Sequence, residues 1–148
     1  MFQRSLRSNG NSLSDFVSKR RNRFNDARAF ASHVHAQSPA AIAAFTIIVN
    51  TALKYRNPDA FALSARQTGV NKPLDAARTV QLFAGNMKLR NDPADPPGRC
   101  EAVLILTINY DGMRRTAKLV TSPPAPPASS PFSYESFLER ICLLYRER

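Results

Sequence analysis

Basic side chains are the residues of this sequence with the clearest potential chemistry, because lysine and arginine can neutralise phosphate groups. Lysine and arginine together number 21 against 11 aspartate and glutamate residues, which gives a formal net charge of +10 and an isoelectric point near 10.4. Such a surplus points to a polyanionic partner, with nucleic acid first and an anionic membrane surface second. Arginine outnumbers lysine, and its planar guanidinium suits bidentate phosphate contacts.

The basic residues of interest form two groups, one near the N-terminus and one around the dipeptide Asp111-Gly112. Residues 1–35 contain seven basic and two acidic side chains, and no glutamate balances them as it would on an ordinary solvated face. We expect both groups to contact phosphates rather than to read bases. The candidate nucleic-acid contacts are Arg4, Arg7, Lys19, Arg20, Arg21, Arg23, Arg28, Arg114, Arg115 and Lys118.

Cysteine and histidine residues do not have the spacing of a metal site. Cys100 and Cys142 are too few for a disulfide framework, and both are expected to be buried free thiols. His33 and His35 are two residues apart on a predicted helix, so they point in different directions and are expected at the surface or in capping roles. The sequence therefore predicts no metal site and no cofactor.

Motifs that support catalysis are absent as well. The five glycines are scattered singly, so there is no phosphate-binding glycine loop, dinucleotide fingerprint or nucleophile elbow. Asp92, Asp95 and Asp111 lie in turn sequences, where aspartate is expected for backbone reasons. Because no close pair of titratable groups is evident, the protein is predicted not to be an enzyme.

The chain divides into a flexible basic arm at residues 1–12 and a single α+β domain at residues 13–148. From Leu13 onwards, apolar residues recur at spacings of three, four and seven, which predicts an amphipathic helix. Ser12 and Asp15 match a helix cap ahead of it. The apolar positions of this helix are Leu13, Phe16, Val17, Phe24, Ala27, Ala31 and Val34.

Two further N-terminal helices are predicted between residues 38 and 69. Ser38-Pro39 resembles an N-cap followed by proline at the first helical position, and the apolar run after it would form a buried helix ending at Asn57. Asn57-Pro58 would then cap a shorter third helix through residues 59–68, ended by Gly69.

The second half of the domain is predicted to contain an antiparallel sheet of at least three strands. Residues 74–90 alternate imperfectly and are taken as a strand with a bend at Gly85, followed by a loop at residues 91–98. Residues 99–121 predict a β-hairpin with Asp111-Gly112 as a two-residue type I′ turn. This register places Asn109 opposite Arg114 and Ile105 opposite Lys118.

The two faces of this hairpin differ in polarity, and the more apolar face is expected to join the core. The predicted core face carries Ala102, Leu104, Leu106, Ile108, Tyr110, Met113, Ala117 and Leu119. The other face is mixed polar and basic, and it is the predicted ligand side or else a wet face of ordinary kind. That face carries Glu101, Thr107, Asn109, Arg114, Thr116 and Lys118 around Val103, Ile105 and Val120.

The C-terminal part combines a proline-rich connector with an amphipathic helix. Residues 122–131 hold five of the 11 prolines and are expected to be an extended spacer. Residues 133–147 then predict a helix capped by Ser133, whose apolar stripe packs on its own sheet or on a neighbouring subunit. The stripe contains Tyr134, Phe137, Leu138, Ile141 and Tyr145.

An arginine-rich arm, a small α+β body, a proline-rich spacer and a terminal helix resemble the layout of small viral coat and nucleocapsid proteins. The end of the chain, with three strands and then a helix, is similar in layout to coat proteins of single-stranded RNA phages. The resemblance implies an RNA-binding structural protein that forms homo-oligomers and packages nucleic acid, in a virion or the host cytoplasm.

The alternative is a matrix-type or adaptor protein that binds an anionic membrane or a protein partner, with Phe16, Phe24 and Phe30 at the acyl boundary. The N-terminus lacks an apolar run of signal-peptide length, and no apolar stretch reaches the roughly 20 residues that span a bilayer. The chain is therefore expected to be neither secreted nor anchored by a transmembrane segment.

Overall fold

The computed structural model describes residues 13–56, 68–70, 72, 74–111 and 116–147. This part of the chain contains three helices and five strands that do not alternate regularly, so the fold class is α+β. The elements are α1 (Leu13–Gln37), β1 (Ala44–Asn50), β2 (Lys54–Arg56), β3 (Thr68–Val70), α2 (Asp75–Asn86), β4 (Ala102–Asp111), β5 (Thr116–Leu119) and α3 (Tyr134–Glu147). The predicted arm at residues 1–12 lies outside the described residues.

A three-stranded sheet in the order β1-β4-β5 forms the centre of the fold. β1 runs parallel to β4, with Ala44 opposite Ala102, whereas β4 and β5 are antiparallel. The prediction of an antiparallel sheet is therefore wrong, because the sheet is mixed. β2 and β3 form a separate antiparallel pair in which Tyr55 faces Gly69.

The apolar run after Pro39 forms strand β1, so the predicted second helix is wrong. Its centre, Thr46 to Val49, is an unbroken β-branched run, and such side chains pack well in a sheet and lose χ1 freedom in a helix. Near-continuous apolar character is also typical of a strand paired in parallel. Gly69 lies in β3 rather than after a helix, and residues 59–67 of the predicted third helix lie outside the described residues.

Residues 75–86 form helix α2, so the strand predicted over residues 74–90 is wrong. Ala76, Val80 and Phe83 follow one another at spacings of four and three, and all three are buried on one side of the helix. The backbone N–H of Lys72 donates to the carboxylate of Asp75, which fixes the chain at the start of the helix. Gly85 is a helical residue and not a bulge.

The β4–β5 hairpin is confirmed, but its register and its faces differ from the prediction. Asn109 pairs with Lys118 rather than with Arg114, and Asp111 is the last residue of β4 rather than part of the turn. The predicted register would place Lys118 opposite the buried Ile105, where an unpaired ammonium group is costly. The observed register instead places it opposite the exposed Asn109.

The side of β4 that was predicted to face a ligand faces the core. Glu101, Val103, Ile105 and Thr107 are all buried, and α1 and α2 cover this side of the sheet. Ala102 and Leu104, on the predicted core side, are also buried but lie outside that cluster, and Ala117 and Leu119 of the same predicted core side are exposed. The core cluster consists of Ala31, Ala43, Ile47, Val49, Ala76, Val80, Phe83, Cys100, Val103, Ile105 and Phe132.

The C-terminal helix is confirmed as α3, and it packs on β4 of its own chain. Ser133 caps it, because its side-chain oxygen accepts from the backbone N–H of Ser136 at 3.2 Å. Leu144 is buried, whereas Tyr134, Leu138 and Tyr145 of the predicted stripe are exposed. The connector at 122–131 is a series of turns rather than an extended spacer, since Ala125 bonds back to Ser122 and Ser130 to Pro127.

Candidate nucleic-acid interface

The predicted nucleic-acid contacts are only partly within the described structure. Arg4, Arg7, Arg114 and Arg115 lie outside the described residues, as do the side chains of Lys19, Arg20 and Arg21 on α1. Arg23 and Arg28 are exposed on α1, and Lys118 is exposed on β5. Arg23 lies 3.5 Å from Asp26 in an ion pair with both partners largely in solvent, so this contact holds it weakly.

A cleft of about 420 Å³ lies between α1, the end of α2 and the loop before β4, and we call it the basic cleft. Arg28, Lys88 and Arg99 line it, one from each of these three segments, and none of its described lining residues is acidic. The wall also contains apolar side chains, from Phe24, Met87, Pro96 and Pro97, and the neutral polar residues Ser32 and Asn86. Positive charge from three separate parts of the chain therefore converges on one concave surface.

Lys88 and Arg99 were missed by sequence reasoning. Lys88 falls in a segment that was taken for a strand, and Arg99 falls beside a loop, so neither belongs to a run of basic residues. The helical period of residues 76 to 83 would have placed Lys88 just beyond a helix end, where a cation is favourable. No local signal in the sequence connects Arg99 with Arg28, because their proximity depends on the tertiary fold.

The loop of the basic cleft approaches α1 closely at Gly98. A Cβ atom at this position would lie 3.1 Å from the side-chain oxygen of Ser32, so glycine allows the loop to lie against the helix. Two aspartates hold the same loop, as the turn sequences predicted. Asp95 accepts from the backbone N–H groups of Asn91 and Asp92, and Asp92 accepts from Ala94.

Asp95 also accepts from the guanidinium of Arg99 at 3.3 Å, which orients that side chain at the cleft. The backbone N–H groups of Asn91 and Asp92, and then the charge of Arg99, lower the pKa of Asp95 below its ordinary value of 3.8. Because the pKa is lowered, the ionised carboxylate stabilises the folded loop at every pH above 3.8. This contribution to stability is lost as the pH falls through the lower pKa of Asp95 in the folded state.

We therefore expect Asp95→Ala to release the loop while the rest of the domain stays folded. The amide protons of Asn91 and Asp92 lose their acceptor, so their hydrogen exchange measured by NMR should accelerate at neutral pH. In the unchanged protein the same acceleration should appear only at acid pH, below 3.8. Asp26→Ala, which removes an exposed carboxylate on α1, is the control. Unchanged exchange at Asn91 in the Asp95 variant would contradict this account of the loop.

A buried ionic group, which we call the Glu101 cluster, consists of His35, Arg90 and Glu101. The Glu101 carboxylate is 0% exposed and accepts from Arg90 Nη1 at 3.1 Å, from His35 Nε2 at 3.0 Å and from the backbone N–H of Ala43 at 2.9 Å. His35 Nδ1 lies 2.7 Å from the carbonyl oxygen of Pro97. Both ring nitrogens face oxygen acceptors, so an imidazolium ring would donate to both.

The Glu101 cluster connects α1, the strand β4 and the loop that forms the basic cleft. Arg90 also donates to the carbonyl oxygens of Pro39 and Pro93. From the other side, Arg140 of α3 donates to the carbonyl oxygens of Glu101 and Arg90 and to Asn91 Oδ1. Because the carboxylate has no solvent contact, its arrangement suits a structural role that holds the cleft walls together.

Two expectations about single residues require correction here. His35 is buried in the Glu101 cluster rather than at the surface, although His33 is exposed as predicted. Cys100 is a buried free thiol as predicted, but Cys142 is exposed on α3. Burial, and then the charge of Glu101, raise the pKa of the Cys100 thiol to about 11, which keeps it protonated at neutral pH.

The part of the chain that the structure describes holds no group of three or more histidine, cysteine, aspartate or glutamate residues that could bind a metal ion. None of its helices is long and apolar enough to cross a bilayer. In comparisons with known proteins, no family model, no curated protein and no solved structure matches this chain.

Proposed function

We propose that this protein is an RNA-binding structural protein, a viral coat or nucleocapsid subunit that self-assembles and packages nucleic acid. The observation that carries this proposal is the basic cleft, where Arg28, Lys88 and Arg99 converge, and where Asp95, the ion-pair partner of Arg99, is not among the lining residues. The net charge of +10 supports the same partner, because a polyanion is attracted to the chain as a whole before it reaches the cleft.

Binding at this surface would act through phosphate neutralisation. A phosphodiester that enters the cleft meets cationic groups on three sides, and the counterions condensed on the nucleic acid are released. Arg23 is exposed on the same helix, but it lies five residues before Arg28, a rotation of about 140° around α1, so it lies on a different face of the helix from the cleft. The predicted contacts at Lys19, Arg20 and Arg21 precede Arg23 on that helix, which continues the basic stretch towards the N-terminus.

The alternative of a membrane-binding helix face receives less support. Phe24 packs against the core, with its ring 6.2 Å from that of Phe83, so it is not available for the acyl boundary. Phe30 is more exposed, but its ring lies 6.1 Å from that of Phe45. The side chain of Phe16 lies outside the described part. We therefore place the membrane partner among the outcomes of the test below.

The test is the salt dependence of RNA binding by a double variant of the cleft, Arg28→Ala/Lys88→Ala. Each phosphate neutralised on a single strand contributes about 0.7 to the slope of log affinity against log salt concentration. Removing two contacts should therefore flatten the slope by about 1.4 and weaken binding at low salt. The measurement is fluorescence anisotropy with a labelled single-stranded oligoribonucleotide over a salt series.

A control double variant, Arg78→Ala/Arg146→Ala, removes the same charge from exposed positions on α2 and α3 that do not line the cleft. It should retain most of the wild-type slope. Equal slopes for the two double variants would show that only net charge matters and would contradict a role for the cleft. Binding to vesicles of anionic lipid, without binding to RNA, would favour the membrane alternative and overturn the proposal.

A further inference from the structure

Strand β1 forms one edge of the central sheet, since the strand order is β1-β4-β5. In a strand, the backbone N–H and C=O groups of successive residues point alternately to the two sides. Ala43 accepts from the backbone of Glu101, and Thr51 donates to the carbonyl of Ile108, so the odd-numbered residues of this segment point towards β4. The main-chain groups of the even-numbered residues Ala44, Thr46 and Ile48 therefore point away from the sheet. Asn50, the last residue of the strand, is set apart because its side chain accepts from the backbone N–H groups of Ala52 and Tyr110.

The outward groups form an open edge of main-chain donors and acceptors. Among the hydrogen bonds of the described residues, Ala44, Thr46 and Ile48 contribute none on this side. The side chain of Thr46 is exposed, and that of Ile48 is 63% exposed although it is large and apolar. An exposed edge with these properties is a template for pairing with another strand.

The opposite edge of the sheet provides an internal comparison. β5 is four residues long and carries Lys118, and both a short length and a lysine are devices that prevent edge pairing. β1 is seven residues long, AFTIIVN, with no charged residue and no proline. Within the part of the chain that the structure describes, the two edges of the sheet therefore differ in protection, and the β1 edge is better suited than the β5 edge to accept a further strand.

We propose that the β1 edge binds the β1 edge of a second copy of this chain, antiparallel and across a twofold axis. The pairing would join two three-stranded sheets into one continuous sheet. A second β1 suits this edge because neither strand carries charge that would be desolvated without a partner. An isologous contact of this kind also closes on itself and leaves no further edge of the same type exposed.

The twofold axis is placed at Thr46, which is the middle residue of Ala44, Thr46 and Ile48, and the strand end at Asn50 lies outside the pairing. Thr46 then faces Thr46 of the second copy, and Ala44 faces Ile48, so that all three outward residues find main-chain partners. On the exposed side of the sheet, the large Ile48 side chain lies beside the small Ala44 side chain rather than against a second isoleucine. This register therefore combines complete hydrogen bonding with complementary side-chain volumes.

This inference deepens the self-assembly part of the proposed function and rests on it, but it is tested without RNA. Sedimentation velocity of nuclease-treated protein in high salt should show a dimer for the wild type and a monomer for Ile48→Lys. Leu119→Lys is the matched control, because Leu119 is 60% exposed on the other edge of the same sheet. It should remain a dimer, and circular dichroism should show both variants folded.

Hydrogen exchange of the wild type gives a second readout that does not depend on any variant folding. The amides of Thr46 and Ile48 should be protected at high protein concentration and exchange faster on dilution, whereas those of Ile47 and Val49, which point to β4, should stay protected throughout. A monomeric wild type, or exchange at Thr46 that is fast at every concentration, overturns the edge pairing. A monomeric protein that still binds RNA would overturn the edge pairing but not the proposed RNA binding. A dimer that binds no RNA would support the edge pairing and contradict the proposed RNA binding.

Discussion

Glu101→Ala is expected to lower the free energy of unfolding by about 3–5 kcal/mol, because it leaves the buried guanidinium of Arg90 without a counterion. The carboxylate lies between Arg90 and His35, and Arg90 has only 3% of its side chain exposed. A typical domain has about 5–15 kcal/mol of total stability, so this loss would leave a large fraction of the protein unfolded at moderate temperature. Urea denaturation followed by circular dichroism measures it.

The matched control for this prediction is Glu139→Ala, which removes an exposed carboxylate from α3. Exposed substitutions away from special features usually change stability by about 0.5 kcal/mol or less. If Glu101→Ala were as mild as Glu139→Ala, the Glu101 cluster would not hold the fold together. Glu101→Gln separates charge from hydrogen bonding, since the amide keeps one acceptor oxygen but carries no charge. Its free energy of unfolding should lie between those of Glu101→Ala and the wild type.

Arg140→Ala is expected to have the second-largest effect, a loss of about 1.5–3 kcal/mol, which is typical of a hydrogen bond to a charged group. Its guanidinium donates to the carbonyl oxygens of Glu101 and Arg90 and to Asn91 Oδ1, so the substitution leaves two carbonyl groups without this donor. Because these bonds join α3 to the segments at either end of the cleft loop, the helix should also become accessible to protease before global unfolding. Denaturation and limited trypsin digestion measure the two effects.

Arg146→Ala is the control, because Arg146 is exposed on the same helix with no described partner. Arg140→Lys tests the geometry, since an ammonium group keeps the charge but lacks the planar fork that reaches several acceptors. It should restore only part of the stability. A lysine variant as stable as wild type would show that charge, rather than the arrangement of donors, holds α3 in place.

Local patterns predicted the terminal helices well. Apolar residues at helical spacing in α1 and α3, together with the Ser133 cap, are signals that a short window of sequence contains. The hairpin was predicted for the same reason, since two strand-like runs flank a turn dipeptide. Its register was not predicted, because it depends on which face of β4 is buried and the turn alone does not determine that.

Two elements in the middle of the chain differ from the prediction: a strand was predicted as a helix, and a helix was predicted as a strand. β1 was taken for a helix because a short apolar run does not distinguish a buried strand from a buried helix, and its β-branched centre was the deciding signal. α2 was taken for a strand although Ala76, Val80 and Phe83 have helical spacing. In both segments the deciding signal is local, but Ser38-Pro39 resembles the start of a helix and Gly85 resembles a bend in a strand.

The faces of β4 and the walls of the basic cleft depend on contacts between distant parts of the chain. Glu101 was taken as a sign of solvent, and it is buried because Arg90 and His35, 11 and 66 residues away in sequence, satisfy its charge. Of the cleft residues, Arg28 was predicted from the N-terminal basic run, but Lys88 and Arg99 join it only in the folded chain. A single sequence holds no local signal for such convergence.

The sequence separation between Ala43 and Glu101 also has a consequence for biosynthesis. The bond between them spans 58 residues, so at about 5–20 residues per second the ribosome needs about 3–12 s to deliver the partner after Ala43 has emerged. During that interval β1 cannot pair with β4, and its apolar, uncharged run is open to other chains. The nascent protein is therefore most prone to aggregate before β4 is made, and slower initiation or chaperone binding at β1 should raise the soluble yield more than any change near the C-terminus.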